Sequence, residues 1–209
     1  MKLVIFGSTG SVGIQVVEQA LEQGHTVTAF VRDRSKLNLQ HSSLNIFAGD
    51  VMNSDLVEQA VIGHDAAICV LGSGKKLSGN VRSQGTQHII QALEKAGVNR
   101  FICQSTLGAG DSWGNLNFYW KYIMFGFILR KVFADHQIQE KYVQQSNLDW
   151  TIIRPGAFIE GTRTGKYRHG FSASDRTSSL TISRPDIADF ILKQLTDNTY
   201  VGKTASLSY

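Results

Sequence analysis

A chain of 209 residues that is 42% hydrophobic and 18% charged can bury one sizeable core without disulfides or metals. Its formal charge of +4 is slight and no long basic run carries it, so the pI of about 9.1 fits an anionic cofactor and is no nucleic-acid footprint. The two cysteines, Cys69 and Cys103, sit inside apolar runs without metal-ligand or disulfide spacing.

In chain order, Lys2–Phe6 reads as a short strand closed by Gly7. Gly13, Val17, Ala20, Leu21 and Gly24 follow at helical spacing, and Gly24 suits the left-handed residue that ends a helix. Thr26–Val31 and Leu44–Ala48 are β-branched or apolar strands, and Asn53–Ala60 is a short helix. Ala66–Leu71 is continuously apolar, as a strand buried on both faces should be. Thr86, Ile89, Ile90 and Leu93 mark a long helix ended by Gly97, and Arg100–Gln104 is a fifth strand. Two helical segments, Asn117–Arg130 and Phe133–Gln145, separate it from a sixth strand at Trp150–Ile153. Ser183 caps a last helix with Ile187, Phe190, Ile191 and Leu195 on its buried face, and Thr204–Leu207 is a last strand. This alternation predicts a Rossmann-type α/β fold: a doubly wound, mostly parallel sheet with helices on both faces, formed by residues 1–209 as one domain. A small substrate-side lobe is expected from approximately 107–133 and from 156–182, where Gly, Ser, Thr and Arg replace apolar periodicity.

The strongest motif is Gly7-Ser8-Thr9-Gly10-Ser11-Val12-Gly13, which lies between the first strand and the first helix. In that context Gly7 permits the turn, Gly10 lets backbone approach a pyrophosphate, and Gly13 lets the helix pack against the strand. The helix N-terminus then presents N–H groups and a positive dipole end to the phosphates. Nineteen residues past Gly13, where an NAD-preferring fold carries an acid for the ribose, stands Arg32. A guanidinium there suits the 2′-phosphate of NADP(H), with Arg34 and Lys36 adding charge and the Ser8 and Thr9 hydroxyls available as donors. Asp33, one residue on, would restore an acid. Asp50, in Gly49-Asp50-Val51 after the third strand, either bonds the adenine or caps the helix beginning near Asn53. Leu71, Gly72 and Ser73 end the fourth strand, where glycine allows close approach to a cofactor.

With those residues in view, the chain resembles the atypical short-chain dehydrogenase/reductases with an NmrA-like NAD(P)-binding domain, and most of all the biliverdin-IXβ reductase/flavin reductase type. The likeness rests on Ile5-Phe6-Gly7-Ser8-Thr9-Gly10, Val31-Arg32-Asp33, Gly49-Asp50-Val51, Leu71-Gly72, Leu148 to Gly156, and Ile182-Ser183 with Asp186 and Phe190. It implies hydride transfer from NADPH to a flavin or a linear tetrapyrrole, and it maps the family's hydroxyls beside the nicotinamide onto Ser105 and Thr106. Where the flavin-reductase type carries a histidine, this chain reads Gly156-Ala157-Phe158.

The residues limit the chemistry further. No tyrosine has a lysine four positions later, so the Tyr-x-x-x-Lys proton relay of alcohol dehydrogenases and sugar-nucleotide epimerases is missing. Reduction of a flavin needs mainly stacking and orientation, because the cofactor carries the chemistry. Ser105 and Thr106 either position the reacting rings or satisfy backbone at the strand end. Arg154 and Pro155 end the sixth strand at the ligand-binding edge; Arg154 either meets an anionic ligand or forms a structural ion pair. Trp113, Phe118, Tyr119 and Trp120 make a stacking wall for a planar acceptor, with Phe158 beside it, or core and interface, or an apolar helix face resting on a membrane surface. Among the histidines His136 is the one candidate proton donor, and no metal site is expected. The longest greasy run, Tyr122 to Leu129, is too short to span a bilayer, and the chain opens on a strand-like run instead of a signal peptide. The expectation is a cytoplasmic monomer or homodimer.

Overall fold

The computed structural model describes residues 1–72 and 79–209. Strand β1 (Lys2–Phe6) shows how the sequence divides between two faces. Leu3 and Ile5 enter one buried cluster and Val4 and Phe6 the other, as the two-residue period of a strand requires. The first cluster lies under α1 (Ser11–Glu22) and α5 (Arg184–Lys193), which pack together. The second lies under α2 (Ser54–Val61), α3 (Val81–Ala96) and α4 (Arg130–Gln145). A strand covered on both sides has no polar face, so Val4, Ile5, Phe6 and their neighbours are all apolar.

Around β1 the main sheet is completed by β2 (Thr26–Val31), β3 (Leu44–Ala48), β4 (Ala66–Cys69), β5 (Arg100–Gln104), β6 (Asp149–Pro155), β8 (Arg168–His169) and β10 (Lys203–Ser208). Their order is β3-β2-β1-β4-β5-β6-β10-β8, parallel except for the terminal β10–β8 pair. The order reverses between β1 and β4, which opens a crevice at the carboxyl ends of those strands. In register, Phe6 faces Phe30, and the rings of Phe6, Phe30 and Phe47 run across three strands with centroids 5.0 and 5.6 Å apart. Gly49 lies against that row: a Cβ there would meet the Phe30 ring at 2.7 Å.

Helix ends follow the sequence closely. Gly24 and Gly97 adopt φ of +79° and +70° at the ends of α1 and α3, and the Ser183 hydroxyl accepts from the Asp186 N–H at the start of α5. The N-terminus of α3 is capped from another element. Asp135 of α4 accepts from the Arg82 and Ser83 N–H groups at 3.2 Å each and from the Ser83 hydroxyl at 2.5 Å.

The segments 107–133 and 156–182 depart most from expectation. The helix predicted over 117–130 is a π-helical segment, Tyr119–Ile128, preceded by a short 3-10 helix at Gly110–Asn115, and α4 begins at Arg130 instead of Phe133. The stretch 156–180 is largely irregular, but β7 (Ala157–Ile159) pairs in parallel with β9 (Thr181–Ser183) in a separate two-stranded sheet. Leu107, Ala109, Leu116, Phe125 and Phe133 form a small buried cluster of their own here, with Trp113, Trp120, Leu129, Phe171 and Leu180 against it.

Candidate functional site

The phosphate loop is shaped by glycine at two positions. Gly7 has φ +88°, and a Cβ on it would meet the Val70 carbonyl oxygen at 2.5 Å. A Cβ on Gly13 would come within 2.1 Å of the Gly7 carbonyl oxygen, so only glycine lets α1 start this close to β1. The Gly10 N–H bonds the Gly7 carbonyl at 2.9 Å, and Gly10 is the N-cap of α1 with no side-chain cap and no acid in the first turn. The N–H groups of Ser11, Val12 and Gly13 precede the first intrahelical bond, which runs from Ile14 to Gly10. An uncapped helix start with a positive dipole end fits a pyrophosphate.

Ser8 plays a different part from the one expected. It is fully buried and its hydroxyl donates to the Ile5 carbonyl at 2.6 Å, so it braces the loop and is not free to reach a phosphate. Thr9 is half-buried in the same loop.

Arg32 and Lys36 are exposed just past β2, and Asp50 is exposed just past β3, all at the carboxyl edge that holds the phosphate loop. Asp33 is committed elsewhere. Its carboxylate accepts from the Ser35 hydroxyl at 2.7 Å and N–H at 3.0 Å, and those bonds hold its pKa below the ordinary aspartate value. Asp50 is not the cap of α2. That cap is Asn53, whose side chain accepts from Asp55 and Leu56, while Asp50 closes its own turn onto the Met52 N–H. The Val51 side chain is buried in the core and its carbonyl accepts from His88 Nδ1 at 3.0 Å, so the side chain is not free to meet a ligand. Ser73 lies outside the described residues.

A cavity of about 450 Å³ runs from this loop into the small lobe. One end is lined by Gly10, Ser11, Val12, Leu71 and Gly72, and its floor by Gln104, Ser105, Thr106 and Pro155 at the ends of β5 and β6. The other end is lined by Trp120, Phe125 and Leu129 with Phe158 and Leu180. Arg82 and His136 line it from α3 and α4. Ser105 is buried, and its Oγ and the Oε1 of buried Gln104 have no hydrogen-bond partner among the described residues. Polar atoms left so in a native interior are candidates for a ligand's hydrogen bonds. The Thr106 hydroxyl makes one long contact, 3.4 Å, to the Leu107 carbonyl.

Arg154, expected at the strand-end edge, and Trp113, expected in the wall, do not line this cavity. Arg154 is 3% exposed, and its guanidinium is taken up by Glu140, itself 5% exposed, at 2.7 and 2.9 Å and by Asp111. Burial works against that charge, but the two carboxylates outweigh it and hold the Arg154 pKa above the ordinary value. Arg154 thus forms a structural ion pair, its guanidinium taken up by two carboxylates, and it does not line the cavity. Trp113 packs on Phe133 at 5.5 Å between centroids and belongs to the lobe's core, leaving the wall to Trp120 and Phe125. Phe118 and Tyr119 face outward.

His136 reaches the cavity, but burial and the nearby Arg82 charge push its pKa down to about 3. It is therefore neutral at physiological pH, with Nδ1 donating to Gln139 Oε1 at 3.3 Å. Three groups of the cleft gave no local sign in the sequence. Gln104 is one more residue of an apolar strand, Arg82 follows an unremarkable polar stretch, and Phe125 sits in a greasy run whose facing is set by the π-helix.

Known proteins share this architecture. The sequence profile of the NAD(P)H-binding family matches residues 7–198. The chain belongs to this family. That membership agrees with the resemblance to the atypical short-chain dehydrogenase/reductases with an NAD(P)-binding domain. The UPF0659 protein YMR090W of Saccharomyces cerevisiae is 30% identical over 99% of this chain and 92% of its own length. The photosystem II assembly factor Ycf39 of Synechocystis is 26% identical over 98% of this chain, which spans only 61% of that protein. Among solved structures, the anaerobillin reductase ChuY of Escherichia coli O157:H7 superposes with a TM-score of 0.82 at 26% identity, covering 100% of this chain and 97% of its own.

Proposed function

We propose that this protein is an NADPH-dependent reductase that passes hydride to a flavin or a related planar acceptor such as biliverdin. The observation that carries this reading is a single cavity with the phosphate loop at one end and an aromatic, aliphatic wall at the other. When bound, NADPH supplies the hydride. The start of α1 holds the pyrophosphate, and Arg32 with Lys36 holds the 2′-phosphate, an assignment supported by Asp33 being turned into its own loop. Gln104 and Ser105 offer unpaired polar atoms to the nicotinamide amide or to the acceptor, with Thr106 beside them. Trp120, Phe125, Leu129 and Phe158 sandwich the acceptor and exclude water.

Such a reduction asks for orientation more than acid–base chemistry. That agrees with the absence of a Tyr-x-x-x-Lys pair and with a cavity histidine held neutral. The likeness to an anaerobillin reductase favours the tetrapyrrole arm. The reading includes a cytoplasmic location and a monomer or homodimer. NADPH oxidation followed with FMN, riboflavin and biliverdin, each against an enzyme-free control, tests it: saturable turnover with one of them is expected.

A second reading is a non-catalytic NADP(H)-binding sensor or assembly factor that acts through a protein partner. The missing Tyr/Lys pair and the likeness to Ycf39 favour it. Tight NADPH binding with no consumption above background for any acceptor would decide for it.

A further inference from the structure

Exposed apolar side chains are scattered singly over most soluble proteins. Here six of the twelve large exposed hydrophobics among the described residues fall between 118 and 128. Phe127 is 84% exposed, Phe118 71% and Tyr122 61%, with Tyr119, Ile123 and Ile128 beside them. They lie on or next to the π-helical segment whose opposite side, through Trp120 and Phe125, walls the cavity. No acid occurs between Asp111 and Asp135, whereas Lys121, Arg130 and Lys131 do, and none of the three is in an ion pair among the described residues.

We propose that this segment docks the protein on the surface of an anionic lipid bilayer. The exposed aromatic rings enter the boundary between headgroups and acyl chains, and Lys121, Arg130 and Lys131 meet the headgroup phosphates. Mixed Phe and Tyr side chains beside basic residues are what that boundary selects. The segment lies along the surface and does not cross it, since no helix among the described residues is long and apolar enough to span a membrane. Charge separates the bilayer from a second copy of this chain. An isologous pairing would set the three cations against themselves with no acid between, at a cost a phosphate surface does not impose. Docking does not depend on what the cavity reduces.

Flotation of the purified full chain with phosphatidylcholine vesicles, with and without added phosphatidylglycerol, tests the proposal. We expect flotation with the anionic vesicles that falls as salt is raised, and little with the neutral ones. The triple variant Lys121→Gln/Arg130→Gln/Lys131→Gln should lose more than about tenfold in vesicle affinity, given roughly 1 kcal/mol per basic residue near such a surface. Tyr122→Ser/Phe127→Ser should lose a similar factor while NADPH affinity, read by nucleotide fluorescence, stays unchanged. No flotation at low salt, or flotation undiminished in both variants, overturns the proposal. So does a dimer, seen by light scattering, that Tyr122→Ser/Phe127→Ser dissociates, because the face then belongs to a second copy.

Discussion

At the phosphate-loop end the cleft is made of backbone, with Gly7, Gly10 and Gly13 bringing the turn and the first N–H groups of α1 to one edge of the sheet. At the far end it is made of side chains: Trp120, Phe125, Leu129 and Phe158 come from segments that meet only in the folded chain. At Gly7 and Gly13 the first end resists substitution, because a methyl group there would meet main-chain oxygen at 2.5 and 2.1 Å. The second can change shape one ring at a time. On the proposed reading one end holds the nucleotide and the other the acceptor, and the two ends should fail independently.

The largest effect is expected where neither end is touched. Arg154→Ala strands the buried Glu140 carboxylate and should cost about 3–5 kcal/mol in a urea unfolding curve, with NADPH affinity per folded molecule unchanged; a loss of affinity in the folded fraction would return Arg154 to the cofactor site. Gly13→Ala should follow, lowering stability by about 1–3 kcal/mol through the forced displacement of the Gly7 carbonyl. It should also weaken NADH and NADPH alike, which fluorescence titration would read.

Arg32→Ala should weaken NADPH by roughly tenfold or more while leaving NADH nearly unaffected, since only the 2′-phosphate loses its charged partner. Equal losses for both nucleotides would remove that assignment. At the other end, Trp120→Ala should raise the acceptor KM by about two- to tenfold, the scale of one ring contact, with the NADPH Kd unmoved. A shift in both constants would mean that the two ends are coupled.

The smallest expected effect concerns pH. With the His136 pKa pushed down to about 3 by burial and by Arg82, the rate profile should show no inflection from an imidazolium near its ordinary value of about 6.5. The sign for stability follows from the same shift. The unfolded chain binds that proton more readily, so the His136 contribution is complete above about pH 6.5 and is lost as pH falls toward 3. Equilibrium unfolding from pH 7 to 4 would check the direction.

How much of this was legible in the sequence varies along the chain. The backbone course from Lys2 to Gly13 could be read, though not the inward turn of the Ser8 hydroxyl, because a strand, a tight turn and a helix start each leave local marks, and Gly24, Gly97 and Ser183 marked helix ends for the same reason. Arg154 could not be assigned: whether an arginine at a strand end meets a ligand or a carboxylate depends on Glu140 and Asp111, fourteen and forty-three residues away. Trp113 and Trp120 looked alike as candidates for the wall, and only the short 3-10 helix at Gly110–Asn115 and the π-helix after it sent one to the core and the other to the cavity.

By itself, then, the sequence determined the alternating α/β order, the phosphate loop and the charge of the residue after β2, since these rest on backbone conformations and hydrophobic periods that neighbouring residues dictate. The tertiary structure alone decided which polar atoms are left unpaired in the cleft, which aromatic rings line it and which face outward. Those outcomes depend on contacts between segments far apart in the chain, and no local pattern records them.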